Sequence, residues 1–140
     1  MRRRVLLLGA TTALALGLAA CGGSARSFTA PLPTYAAIPQ GPQLNPLTSW
    51  VFQAEMTPKG ACASLGGSAL SSVSFLWPSG YKVRFNPTEL LGPNGHVVVR
   101  EGGLLNFTSF PTTLPDRCRS PGQKVVGVEP LTRSGVPLPA

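Results

Sequence analysis

The distribution of proline and glycine is the feature of this sequence that most restricts its fold. The 140 residues include 15 prolines and 16 glycines, spread over most of the chain. Proline lacks the amide donor that a helix interior or a central strand needs, and glycine weakens both elements. After residue 20, no window of 11 or more residues shows the apolar period of a helix. We therefore expect short strands joined by turns.

Alternating apolar and polar residues place these strands between residues 49 and 129. The clearest run is Tyr81–Phe85, which directs Tyr81, Val83 and Phe85 toward a core and Lys82 and Arg84 toward solvent. Further strands are expected at residues 50–55, 70–77, 89–91, 96–100, 104–110 and 124–128. The predicted fold class is all-β, a small barrel or sandwich of about six to seven short antiparallel strands with a disordered N-terminal tether.

Two features of this pattern make specific predictions. In the run 70–77, Val73, Phe75 and Trp77 should share one face, with Ser72 and Ser74 on the other. Asn94-Gly95 is a strong hairpin signal, and Pro78-Ser79-Gly80 should form a turn because proline fixes φ and glycine accepts positive φ.

The N-terminal 20 residues have the form of an export signal. Three arginines, Arg2 to Arg4, precede the uncharged run Val5–Ala20. A membrane-spanning helix needs about 20 residues, so this run of 16 is too short for one. Its length suits a secretory signal peptide. Leu18-Ala19-Ala20-Cys21 then resembles the lipobox of bacterial lipoproteins. The resemblance implies cleavage before Cys21 and acylation of Cys21, with a signal anchor and a chance cysteine as the alternative.

Lipidation would place the protein in the bacterial cell envelope, facing away from the cytoplasm. It would be held at the outer face of the cytoplasmic membrane or, where there is one, at the outer membrane. Gly22, rather than an aspartate, follows the cysteine, which favours the outer membrane in that case. The expected partners are the lipid bilayer, through acylated Cys21, and an envelope protein or cell-wall polymer.

Charge argues against nucleic acid as a partner. Without Arg2, Arg3 and Arg4 the chain keeps nine basic and five acidic side chains. It has no basic run, and its aromatic residues do not alternate with arginines. A weak attraction to anionic lipid or cell-wall polymer is what this charge supports.

The chain divides into four predicted segments. Residues 1–20 are the signal peptide, and residues 21–48 carry the lipidated cysteine and a tether containing five prolines. Residues 49–129 form the β domain, and residues 130–140 are a loose C-terminal tail. The tether would hold the domain away from the bilayer.

Cys62 and Cys118 remain once Cys21 carries lipid. An even pair in an exported chain predicts a disulfide, because the compartment is oxidising. The wide spacing argues against a redox-active pair. Metal binding by Cys62, Cys118 and His96 is an alternative that no ligand spacing supports, so no metal or cofactor is expected.

Two further groups could carry function. Trp77 and Tyr81 flank a turn and could form an aromatic contact for a small molecule or cell-wall glycan, with core packing as the alternative. His96 could serve a hydrolase only beside a hydroxyl and a carboxylate, such as Ser79 and Asp116. Its alternative is an exposed turn residue.

A second resemblance covers about 45 residues. The runs W-P-S-G-Y from Trp77 and V-V-R-E-G from Val98 resemble a pattern in small, uncharacterised exported bacterial proteins. The resemblance implies a small β domain and carries no activity. The function expected from the sequence is an envelope lipoprotein whose non-enzymatic β domain has a structural or binding role. The alternatives are a ligand- or glycan-binding module that uses Trp77 and Tyr81, and a hydrolase that uses His96.

Overall fold

The computed structural model describes residues 25–36, 48–66, 72–132 and 138, and these residues form ten strands and no helix. The strands are β1 (Phe28–Pro31), β2 (Thr34–Tyr35), β3 (Thr48–Thr57), β4 (Gly60–Leu65), β5 (Val73–Pro78), β6 (Lys82–Phe85), β7 (Glu89–Leu91), β8 (Val97–Arg100), β9 (Leu104–Pro111) and β10 (Lys124–Leu131). The described part of the chain thus contains no helix that could cross a membrane.

The strands form two sheets, which confirms the all-β class. One sheet is antiparallel and has the order β1-β6-β7-β8, and the other has the order β2-β5-β10-β9-β3-β4 and curls into a half-barrel. The described residues form ten strands rather than six or seven, and β5 pairs in parallel with both β2 and β10. Pairing direction depends on contacts between segments far apart in sequence, so alternation alone does not reveal it.

Part of the segment assigned to the tether, residues 21–48, belongs to the sheets. β1 pairs with β6 and β2 pairs with β5, each as the outer strand of its sheet. Proline is compatible with such edge positions because the missing amide donor faces away from the ladder. The sequence argument excluded a central strand here but did not reveal an edge strand.

One hydrophobic core joins the two sheets. Tyr81, Val83 and Phe85 are buried as predicted, Lys82 is exposed, and Arg84 is half-exposed. They pack with buried residues of the half-barrel, including Phe52, Leu65, Phe75, Trp77, Leu105, Phe107 and Val128. Because the cluster draws on both sheets, each sheet covers the apolar face of the other.

Ser74, expected on the face of β5 opposite Phe75 and Trp77, is buried. β5 has four consecutive buried residues, Ser74 to Trp77, because other parts of the chain cover both of its faces. The hydroxyl of Ser74 donates to a carboxylate oxygen of Asp116, which compensates its burial. A strand buried on both faces loses the alternating pattern on which the prediction depended.

Both predicted turns are present. Gly80 has φ of 86° in the turn between β5 and β6, and Gly95 has φ of 80° in the turn between β7 and β8. Positive φ costs glycine little, which is why these positions suit it. The amide of Gly92 donates to the carbonyl of His96 across the second turn at 3.0 Å.

Candidate functional site

The disulfide predicted between Cys62 and Cys118 is present. The Cα atoms of the two residues are 5.7 Å apart, and the bond joins β4 to residues 112–123, the long loop between β9 and β10. The loop has no strand or helix of its own. The disulfide therefore fixes a long irregular segment against the edge of the half-barrel.

The two side chains that precede Cys118 also hold this loop. The guanidinium of Arg117 donates to the carbonyl oxygens of Pro31, Lys59 and Ala61, at 2.6, 3.0 and 3.2 Å. Asp116 accepts hydrogen bonds from the Ser74 hydroxyl and, at 2.8 Å, from the Cys118 amide. The bonds from Arg117 and the bond from Ser74 join the loop to strands and a turn, so the loop has a defined position.

The loop borders the opening of the half-barrel. β4 and β5 are the strands that would meet if the curled sheet closed, and they approach each other without pairing. Between them lies a cavity of about 410 Å³, which we call the seam groove. Its lining residues are Gln53, Ala54, Glu55, Cys62, Ala63, Ser64, Val73, Ser74, Phe75, Cys118, Ser120 and Gln123.

The N-terminal half of β5, residues 73–75, presents backbone groups to this groove. Within a strand, the N–H and C=O groups of successive residues point to opposite sides, so those of every second residue point the same way. The carbonyl of Ser72 accepts from Lys124 on the β10 side, and the amide of Trp77 donates to Pro33 on the β2 side, each at 2.9 Å. Val73 and Phe75 are in phase with Trp77, so their backbone groups point away from β10 and toward the groove.

β4 presents a second free edge. Among the described strands it pairs only with β3, because it is the last strand of the six-stranded sheet. The carbonyl of Ala61 accepts from Arg117 and therefore points away from β3. Ala63 and Leu65 share this direction by alternation. The seam groove is thus bounded by two strand edges, neither of which pairs with another described strand over this stretch.

The side chains around the groove are mainly uncharged and polar. Gln53, Ser64 and Ser120 are exposed, and Gln123 is half-buried. Glu55 is exposed and is the one acidic side chain among the described lining residues. The others are cysteine, serine, glutamine and apolar residues. Amides, hydroxyls and one carboxylate can hold a polar, neutral or cationic ligand through hydrogen bonds.

The structure places Trp77 and Tyr81 in the core rather than at a surface. Their exposed fractions are 0% and 4%, and their ring centroids are 6.4 Å apart in a stacked arrangement. The indole N–H of Trp77 has no hydrogen-bond partner among the described residues. Burial leaves these rings no open face for a ligand, so core packing is the alternative that the structure supports.

His96 lies exposed in the turn between β7 and β8. Among the described residues, none makes a hydrogen bond with its imidazole, and its backbone amide donates to the Asn94 side chain at 3.1 Å. Asp116 is engaged with Ser74 and Cys118 instead. The described residues contain no cluster of three or more metal-ligating side chains, and the disulfide occupies both thiols of the alternative metal site.

Cys21, the predicted lipidation site, lies outside the described residues. The seam groove was not predicted, because its edges come from strands whose pairing partners are remote in sequence. The predicted disulfide was the one sequence feature that indicated its location, since both cysteines line the groove.

Comparisons with known proteins give no relative for this chain. No protein-family model, no curated protein and no solved structure matches it. The function therefore has to be inferred from the chain's own sequence and geometry.

Proposed function

We propose that this protein is a lipid-anchored lipoprotein of the bacterial cell envelope. Its β domain acts by binding, and the seam groove is the binding site. Acylated Cys21 would hold it in the bilayer at the outer face of the cytoplasmic membrane, or in an outer membrane where one exists. The side chains of the groove are suited to hydrogen bonding, and we assign it no catalytic step.

The observation that carries the proposal is the seam groove with its fixed border. A disulfide, three hydrogen bonds from Arg117 and one from Ser74 to Asp116 hold the loop at residues 112–123 beside a cavity of about 410 Å³. A preformed concave site reduces the entropy lost when a ligand binds. The disulfide also agrees with export, because such bonds persist in oxidising compartments.

The lipid anchor is supported by the sequence from Arg2 to Cys21. It has the order expected of a lipoprotein precursor, with arginines, an apolar run and then Leu18-Ala19-Ala20-Cys21. The net positive charge after removal of the signal is compatible with anionic lipid or cell-wall polymer as neighbours.

Lipidation is tested by expressing the full chain in a bacterial host and measuring the intact mass of the product. We expect cleavage before Cys21 and the added mass of a diacylglycerol on that residue. The variant Cys21→Ser should remain uncleaved or leave the membrane fraction, whereas Ser24→Ala, three residues further on, should behave as the wild type. Normal processing and membrane retention of Cys21→Ser would disprove the anchor.

A further inference from the structure

We propose that the ligand of the seam groove is an extended peptide segment of an envelope protein, bound as an added strand along the free edge of β5. This inference rests on the proposed binding function and names the ligand class. The recognised groups would be the peptide backbone and a lysine or arginine that lies opposite Glu55.

The edge of β5 already accepts a strand over two of its six residues. β2 pairs with the C-terminal end of β5, with Thr34 opposite Trp77 and Tyr35 opposite Pro78. The chain that precedes β2 does not continue along the edge of β5 toward Val73, because Phe28–Pro31 pairs with β6 in the other sheet. The backbone groups of Val73 and Phe75 therefore lie on the same edge of β5 as those of Trp77, with which β2 pairs.

Added strands gain affinity from main-chain hydrogen bonds and specificity from alternate side chains. The free edge offers the N–H and C=O of Val73 and Phe75, and the border supplies amide and hydroxyl groups from residues such as Gln53, Ser64 and Ser120. Extended peptides present both donors and acceptors at the spacing of such an edge. This favours a peptide over a glycan, which in many sites stacks on exposed aromatic rings, and the aromatic ring at this groove, Phe75, is buried.

Charge gives the peptide a preferred composition. The described lining residues include one carboxylate, that of Glu55, and no lysine or arginine. A cationic side chain in the bound peptide would gain an exposed ion pair with Glu55, and an acidic one would be repelled. Such exposed pairs contribute modestly, so the charge selects among peptides while the backbone supplies most of the affinity.

The test selects peptides from a displayed random heptapeptide library on the purified full chain. We expect enriched peptides that contain lysine or arginine, and fluorescence anisotropy measures their binding. The blocking variant Ser64→Trp, inside the groove, should abolish binding. The matched variant Leu104→Trp, at an exposed position outside the groove, should leave it unchanged. Glu55→Gln should weaken binding of the cationic peptides about twofold to fivefold.

Backbone pairing is tested on the peptide itself, so this arm does not depend on how the protein variants fold. N-methylation of single peptide amides should weaken binding by about tenfold or more at alternate positions, because only every second amide faces β5. Equal effects at all positions would overturn the proposed one-sided pairing with β5. So would a failure to enrich any peptide, or unchanged binding to Ser64→Trp.

A parallel titration uses soluble oligomers of N-acetylglucosamine as the glycan probe. Binding of these oligomers in the groove without peptide binding would overturn the peptide proposal and leave the binding function in place. Absence of a diacylglycerol on Cys21 of the wild-type chain would instead contradict the lipid anchor without changing peptide binding by the purified chain. The two failures are therefore distinguishable.

Discussion

At the scale of single residues, Gly127 shows how a missing side chain shapes the core. Gly127 lies opposite Phe110 in the β9–β10 pair, and a Cβ at Gly127 would be 2.1 Å from Cζ of the Phe110 ring. The ring covers the glycine backbone and is fully buried. Glycine is required here by the close approach of an aromatic ring.

Gly127→Ala should therefore lower the free energy of unfolding by about 1–3 kcal/mol, as expected for overpacking. In the Phe110→Ala background the same change should lose most of this cost, because the ring that it meets is gone. Urea denaturation of the four proteins of this double-mutant cycle measures the coupling. A neutral or stabilising Gly127→Ala in the wild-type background would contradict the proposed contact.

Glu89 is the second residue whose surroundings define its role. Its carboxylate is buried and accepts hydrogen bonds from Arg84, on β6, and Arg100, on β8. The hydrogen bond from Arg84 is the main cause that lowers the pKa of Glu89, against an opposing contribution from desolvation. One carboxylate thus links three neighbouring strands.

Because its pKa is lower in the folded chain, Glu89 stabilises the fold above the pKa of an unfolded glutamate, about 4.3. This contribution is lost as the pH falls through the lowered value. Glu89→Gln should lower the melting temperature at pH 7, and the difference from wild type should shrink toward acidic pH. Thermal denaturation followed by circular dichroism tests this, with Glu101→Gln on the neighbouring exposed turn as the control. A difference that is constant with pH would exclude the role of the charge.

At the scale of elements, the disulfide is the main constraint on the loop at residues 112–123. It joins this loop to β4, and Arg117 and Asp116 add hydrogen bonds around it. A crosslink between remote residues stabilises chiefly by reducing the freedom of the unfolded chain. The elements beside the seam groove therefore depend on this bond for their relative position.

The double variant Cys62→Ala/Cys118→Ala should lower the free energy of unfolding by about 2–4 kcal/mol. In the wild-type protein, peptide mapping after thiol alkylation should find both cysteines unlabelled without reductant and labelled after reduction. Proteolysis of the double variant should begin within residues 112–123, since the loop loses its covalent attachment. Labelling of both cysteines in the unreduced protein would show that the bond does not form.

At the scale of the whole molecule, the two sheets are expected to unfold together because they share one core. Phe85, on the four-stranded sheet, is buried in the same cluster as Phe52 and Trp77 of the half-barrel. It also stacks on Phe28, with ring centroids 5.1 Å apart. Neither sheet could keep its apolar face covered without the other.

Phe85→Ala should lower the free energy of unfolding by about 3–5 kcal/mol, as for an aromatic removed from a packed core. Tryptophan fluorescence, which reports on Trp50 and Trp77 in the half-barrel, and far-UV circular dichroism should give coincident transitions. Leu104→Ala, at a side chain that is 68% exposed, should change stability by less than about 0.5 kcal/mol. Separate transitions for the two signals would show that the sheets fold independently.

Local patterns predicted the elements that have one buried and one exposed face. In β6 the alternation from Tyr81 to Phe85 identified the buried side chains, and Asn94-Gly95 identified a hairpin turn. The pattern did not reveal that Ser74 is buried, because β5 is covered on both faces. It also did not reveal β1 and β2, which are short edge strands next to prolines.

The sequence by itself determined the all-β class, the turns and the pairing of Cys62 with Cys118, because these depend on local conformational preference and on the count of thiols. It also carries the prediction of a lipid anchor at Cys21. Only the tertiary structure decided that Trp77 and Tyr81 are core residues and that β4 and β5 leave a groove between them. Strand order and burial arise from contacts between residues far apart in the chain, and a local pattern does not encode those contacts.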